Sequence, residues 1–97
     1  MPIRMKVYHQ GKETLVAAAD ADLLGKTFRE GKFKIEVGKF YEGEVVSEED
    51  FVGYLKLATI GNFVGTETVD AAMRAGFVSD VGVLWIDGIP HAQFVMM

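Results

Sequence analysis

The rhythm of apolar and polar positions changes several times along the chain, and each change marks an element. "RMKVYHQ" (4–10) alternates, with Met5, Val7 and His9 to one side and Lys6, Tyr8 and Gln10 to the other. Strict alternation is the signature of a half-buried strand. "GK" leads into a second such run, "ETLVAAAD", so the opening predicts a β-hairpin. In "ADLLGKTFRE" (21–30), Leu24 and Phe28 lie one turn apart, Asp20 or Asp22 offers an N-cap and Gly31 a stop, which predicts a short helix. "KFKIEV" (32–37) returns to alternation, with Phe33, Ile35 and Val37 inward. "GKFYEGEVV" is expected to pair with it, Gly43 forming a bulge.

Ser47 then opens a helix as "SEED", a start with acids at the positive end of the helix dipole. Phe51, Tyr54, Leu55 and Ala58 follow as one apolar stripe. "IGNFVG" predicts a break or bend, with Asn62 as a left-handed helix cap. "TETVDAAMRAG" predicts another helix, capped by Thr66, stopped by Gly76 and buried through Val69, Ala72 and Met73. The order ββ-α-ββ-αα-ββ implies an α+β fold, a mostly antiparallel sheet of hairpins with about three helices. A chain of 97 residues makes a single domain, 1–97.

The end of the chain is specific enough to give a register. Asp87-Gly88 between "VGVLWI" and "IPHAQFVMM" signals a two-residue turn, which pairs Ile86 with Ile89, Trp85 with Pro90 and Leu84 with His91. Val83 should then face Ala92, and Gly82 should face Gln93. His91 and Gln93 share the less bulky face. The other face, with Trp85, Ala92 and Phe94, is expected to be core. Pro90 cannot donate to a ladder, so the last strand is expected to lie at an edge there, with His91 close to it.

Composition narrows the chemistry. There is no cysteine, which excludes disulfides, thiolate metal sites and a cysteine nucleophile. His9 and His91, on distant strands, lack metal-ligand spacing, so neither a metal nor a cofactor is expected. No apolar run approaches the length of a membrane span and no signal peptide is evident, so a cytoplasmic protein is expected. Scarcity of Asn, Gln and Cys fits a thermophilic source, although five methionines argue the other way. The net charge of −4 disfavours a generic nucleic-acid binder. Yet Lys26, Arg29, Lys32, Lys34 and Lys39 cluster in one stretch, ahead of an acidic one. "GKT" at 25–27 lacks the upstream glycine of a phosphate loop. The helix after "IGNFVG" offers only Arg74 as a base, too little for a DNA-recognition helix.

"VAAADADLLGKTFREGKFKIEV", "FYEGEVVSEEDF", "LKLATIGNFVGTETVDAA" and "GIPHAQ" together resemble the archaeal family of short proteins catalogued as domain of unknown function 424. The resemblance spans roughly residues 5 to 96. It implies an archaeal, single-domain protein and carries over no catalytic residues.

Three functions follow from the residues. The first is a binding domain in RNA-related housekeeping, such as translation or RNA processing. Lys26, Arg29, Lys32 and Lys34 would contact phosphates, and Asn62, His91 and Gln93 would read polar groups. The second is a small enzyme or metabolite binder, with His91 as acid/base and Asn62 and Gln93 as orienting amides. The third is a protein–protein module, a homodimer through the C-terminal edge strand.

Overall fold

The computed structural model describes residues 2–96. Among them the order is β1 (Ile3–Gln10), β2 (Glu13–Asp20), β3 (Thr27–Glu30), β4 (Phe33–Glu36), β5 (Glu44–Val46), α1 (Glu48–Leu55), β6 (Ile60–Val64), α2 (Thr66–Arg74), β7 (Leu84–Ile86) and β8 (Ile89–Val95). Single 3-10 turns lie at Ala21–Leu23, Lys39–Tyr41 and Asp80–Gly82. Six strands form one sheet, β5-β1-β2-β6-β8-β7, and β3 and β4 form a separate hairpin. β2 and β6 run parallel and the remaining pairs antiparallel, so the expected α+β class holds.

The two faces of the sheet are covered by different things. α1 and α2 pack over Ile3, Met5, Val16, Ala18, Phe63 and Ala92. The β3–β4 hairpin and the turn at 39–41 pack over Ala17, Ala19, Val64 and Ile86 on the opposite face. The caps explain where the helices start. Ser47 Oγ accepts from the Asp50 N–H at 3.0 Å, as its sequence predicts. α2 is capped from a distance. The Asp20 carboxylate, at the end of β2, accepts from the N–H groups of Glu67 and Thr68 and from the Thr68 hydroxyl, at 2.8–3.1 Å. Gly65 precedes α2 at φ 107, and a side chain there would collide with the Asp20 carboxylate. Thr66 is therefore the first helical residue and not the cap. Arg74 ties the helices together, donating to Glu48 through both terminal nitrogens (2.6 and 2.8 Å) and to Asp70 through Nε (2.9 Å).

Several expected elements are corrected. The segment 21–30 is no helix. Gly25 stands at φ 88, donates to the Val37 carbonyl, and Lys26 accepts from Val37 N–H, so β pairing with the following strand wins over a weak helical stripe. Consequently β4 pairs with β3, whereas residues 44–46 pair with β1 and Gly43 lies against the Met5 backbone. "IGNFVG" is the central strand β6, with Asn62 extended in the ladder instead of capping a helix, so the α-helices are two. Finally, β8 is an interior strand at His91, between β6 and β7.

The closing register is as read from Asp87-Gly88, with Leu84 opposite His91, Trp85 opposite Pro90 and Ile86 opposite Ile89. The chain then peels into the turn at 80–82, so Val83 and Gly82 do not extend the ladder. Trp85 shares the helix-side face with Pro90 and Ala92, as expected, but is 56% exposed, whereas Ile86 on the other face is buried in the core beneath the β3–β4 hairpin. β8 ends at Val95, and Met97, part of the expected last strand, lies outside the described residues.

Candidate functional site

Across the face opposite the helices, the ladders set residues in rows. One row runs Tyr8, Leu15, Ile60, Val95; the next runs Lys6, Ala17, Asn62, Gln93; a third runs Arg4, Ala19, Val64, His91. The site occupies the part of these rows that the β3–β4 hairpin leaves open.

Asn62 is its centre. Tyr41, carried over the sheet by the turn at 39–41, donates its hydroxyl to Asn62 Oδ1 at 2.5 Å. His91 Nε2 lies 3.1 Å from the same oxygen. An amide oxygen can only accept, so His91 donates to it from Nε2, which in the neutral ring leaves the lone pair on Nδ1. Burial holds His91 below its ordinary pKa of 6.5, in favour of this neutral form. Burial also pushes the Tyr41 phenol up to about 12, so it remains a donor. With Oδ1 engaged twice, the Asn62 amide is fixed. Its Nδ2 makes no hydrogen bond among the described residues and is not one of their fully buried atoms, so its N–H donors are left without a protein partner. Gln93, exposed, stands opposite Asn62 in the ladder.

Beside this amide pair is an aromatic one. Tyr8 and Phe40 stack with ring centroids 5.3 Å apart and planes 18° from parallel. Lys6 Nζ lies 5.4 Å from the Tyr8 centroid, and the Tyr8 hydroxyl donates to the Phe40 carbonyl at 2.9 Å. Tyr8, Phe40, Leu15, Ile60, Gln10 and Glu13 line a hollow of about 280 Å³. A larger hollow, about 660 Å³, follows the outside of α1. It is made by the exposed side chains of that one helix and the turn after it, with no second element converging on it, so it offers no constellation for chemistry.

The basic residues of the 26–34 stretch are elsewhere. Arg29 and Lys34 are cross-strand partners on the β3–β4 hairpin, Lys32 lies in its turn and Lys26 just before it, all exposed. Lys34 pairs with Glu36 at 2.6 Å. Because 21–30 is not a helix, Lys26 and Arg29 do not share a helix face: Arg29 lies on β3 and Lys26 precedes it. Asn62, His91 and Gln93 therefore come together, while the four cations form a second group on the hairpin. Tyr41 and Phe40 were missed, because their segment reads as a strand and not as a turn folded over the sheet. Tyr8 and Lys6 had a signal: the alternation of residues 4–10 already set them on one side.

Fold and site together define a small α+β protein with one helix-covered sheet face and one partly open face that presents amides and aromatics. Residues 8–97 match the family model described as "Protein of unknown function (DUF424)", and the chain belongs to that family. Among solved structures it is similar to the "crystal structure of an uncharacterized conserved protein from Methanopyrus kandleri", an archaeal protein. That match has a TM-score of 0.86 at 18% identity and covers 100% of this chain and 93% of the other, a likeness of fold. No curated protein matches.

Proposed function

We propose that the protein binds single-stranded RNA on the open part of this sheet face, in a housekeeping role such as translation or RNA processing. The observation that carries the reading is the stacked Tyr8–Phe40 pair, with an ammonium over one ring and a fixed amide donor in the neighbouring row. An unstacked base recovers about 1–3 kcal/mol on such an aromatic surface. The free N–H groups of Asn62 and the amide of Gln93 suit the carbonyl and ring-nitrogen acceptors of a base. Lys6 is the nearest phosphate contact. Lys26, Arg29, Lys32 and Lys34 extend the positive surface along the hairpin, on the same side of the sheet. This concentrates basic charge locally, which a net charge of −4 does not forbid.

The reading is tested by fluorescence anisotropy with a pool of labelled single-stranded RNA fragments, at low and at physiological salt. Saturable binding is expected, weakened about tenfold or more by Tyr8→Ala, since one stacking contact is worth that much. A Lys26→Ala/Arg29→Ala double variant should flatten the salt dependence without changing base preference. Absence of binding even at low salt would overturn it.

A further inference from the structure

The helix side of the closing hairpin carries another hollow, far smaller, of about 150 Å³. Val69 and Met73 of α2 form one wall, and Trp85 and Pro90 another. The charged residues of its lining are Asp70 and Asp80, both acidic and both exposed. Asp70 is engaged by Arg74, whereas Asp80 joins no ion pair among the described residues. Small-molecule sites span about 300–1,000 Å³, so this hollow is too small for one. It is of the right order for one aliphatic side chain.

Trp85 and β7 supply what such a side chain would hang from. The chain's single tryptophan has more than half its surface in water, and Leu84 and Val81 beside it are 39% and 92% exposed. β7 is the outermost strand of the sheet. In a two-residue hairpin the second pair, Trp85 opposite Pro90, is the one without hydrogen bonds. The N–H and C=O of Trp85 therefore point away from β8, past the edge of the sheet, where they make no backbone hydrogen bond among the described residues; the β3–β4 hairpin meets the turn end of β7, Glu30 accepting from the Asp87 N–H at 2.7 Å. An edge with free backbone groups next to a side-chain hollow is the arrangement used for strand addition.

We propose that β7 and this hollow bind an extended basic peptide segment of a partner protein. The segment adds as a strand beside Trp85, lowers one aliphatic side chain into the hollow and sets a lysine or arginine against Asp80. Charge selects this occupant over a second copy of the chain. Two β7 edges related by a two-fold axis would bring like surfaces together, each carrying Asp80 without an ion-pair partner among the described residues, on chains of net charge −4.

Trp85 emission of the full chain reports directly on the site. The probes are acetylated, amidated peptides. Lys-Val-Leu-Val-Lys should give a saturable blue shift and move the Trp85 backbone amide resonance. Replacing both lysines by glutamate should weaken binding about fivefold or more, the scale of an exposed charge contact. N-methylation of the leucine should weaken it about tenfold, by removing one backbone hydrogen bond. Asp80→Asn should weaken the lysine peptide and ease binding of the glutamate peptide, so that the two converge. The proposal fails if the lysine peptide produces no shift, or if all peptides bind alike. It fails equally if the emission shifts with protein concentration alone while light scattering shows a doubled mass, which would assign the edge to self-association.

Discussion

On the helix side of the sheet, Phe51 and Phe63 lose all contact with water and meet edge-to-face, centroids 5.5 Å apart. On the other side, Tyr8 and Phe40 pack at nearly the same separation, 5.3 Å, yet Phe40 remains 40% exposed. The same kind of contact serves two purposes. In the core it removes apolar surface from water, the main source of stability. On the open face much of that surface stays wet, so the free energy of burying it is still to be gained, by whatever covers the rings. Polar bookkeeping separates the faces as well. The one buried side-chain nitrogen without a partner among the described residues, Arg4 Nε, belongs to the open face.

The contrast predicts its own largest effect. Phe51→Ala should cost about 3–5 kcal/mol in urea unfolding, because a fully buried ring leaves a cavity. Tyr8→Ala, from a half-exposed position, should cost about 1 kcal/mol while removing the stacking surface of the proposed RNA site. Equal losses of stability from the two substitutions would erase the distinction between the faces.

Asp20 comes next. It is buried, accepts three hydrogen bonds, and joins the end of β2 to the start of α2. Asp20→Ala should cost about 2–3 kcal/mol, since it strips the cap and leaves the Thr68 N–H and hydroxyl buried without partners. Asp20→Asn keeps one acceptor oxygen and should cost less. Thermal unfolding of the pair measures the difference. An alanine variant as stable as the parent would mean that α2 is held by its apolar face alone.

What the sequence disclosed depended on how local the cause was. The closing hairpin was legible to the residue, because Asp87-Gly88 dictates a turn and the turn dictates a register; Asp87 indeed sits at φ 52. The Ser47 cap and the Phe51–Leu55 stripe are local in the same sense. The segment 21–30 is misread although its partner strand follows at once, but the other failures rest on partners far along the chain. Asn62 looks like a helix cap until β2, forty-odd residues earlier, pairs with its strand. Gly61 and Gly65 look like a break, but Gly61 makes room for the Phe63 and Phe94 rings and Gly65 for the Asp20 carboxylate. The site divides the same way. Asn62, His91 and Gln93 were picked out, and adjacent central strands bring them together. Their union with Tyr41 depends on a 3-10 turn crossing the sheet, which no pattern within "GKFYEG" announces.

The smallest effects probe the amide at the centre of the open face. Tyr41→Phe removes one of the two donors to Asn62 Oδ1 and should cost about 1 kcal/mol. The other donor gives a pH signature. Burial holds folded His91 below 6.5, and unfolding returns it to that value. Below about 6.5 the unfolded chain therefore binds a proton that the folded chain refuses. The His91 contribution is complete above 6.5 and is lost as pH falls through that value toward the lower folded pKa. Glu48 is also held low, by its hydrogen bond to Arg74, but its ordinary value is 4.5, so its loss begins in more acidic solution. Melts between about pH 7.5 and 5.5 thus isolate the imidazole. His91→Gln should flatten that slope. A slope unchanged by the substitution would place the titration on another group. It would mean that His91 protonates on the folded protein without opposition, as a solvated surface histidine does, and the amide would then lack the fixed orientation that the proposed base readout requires.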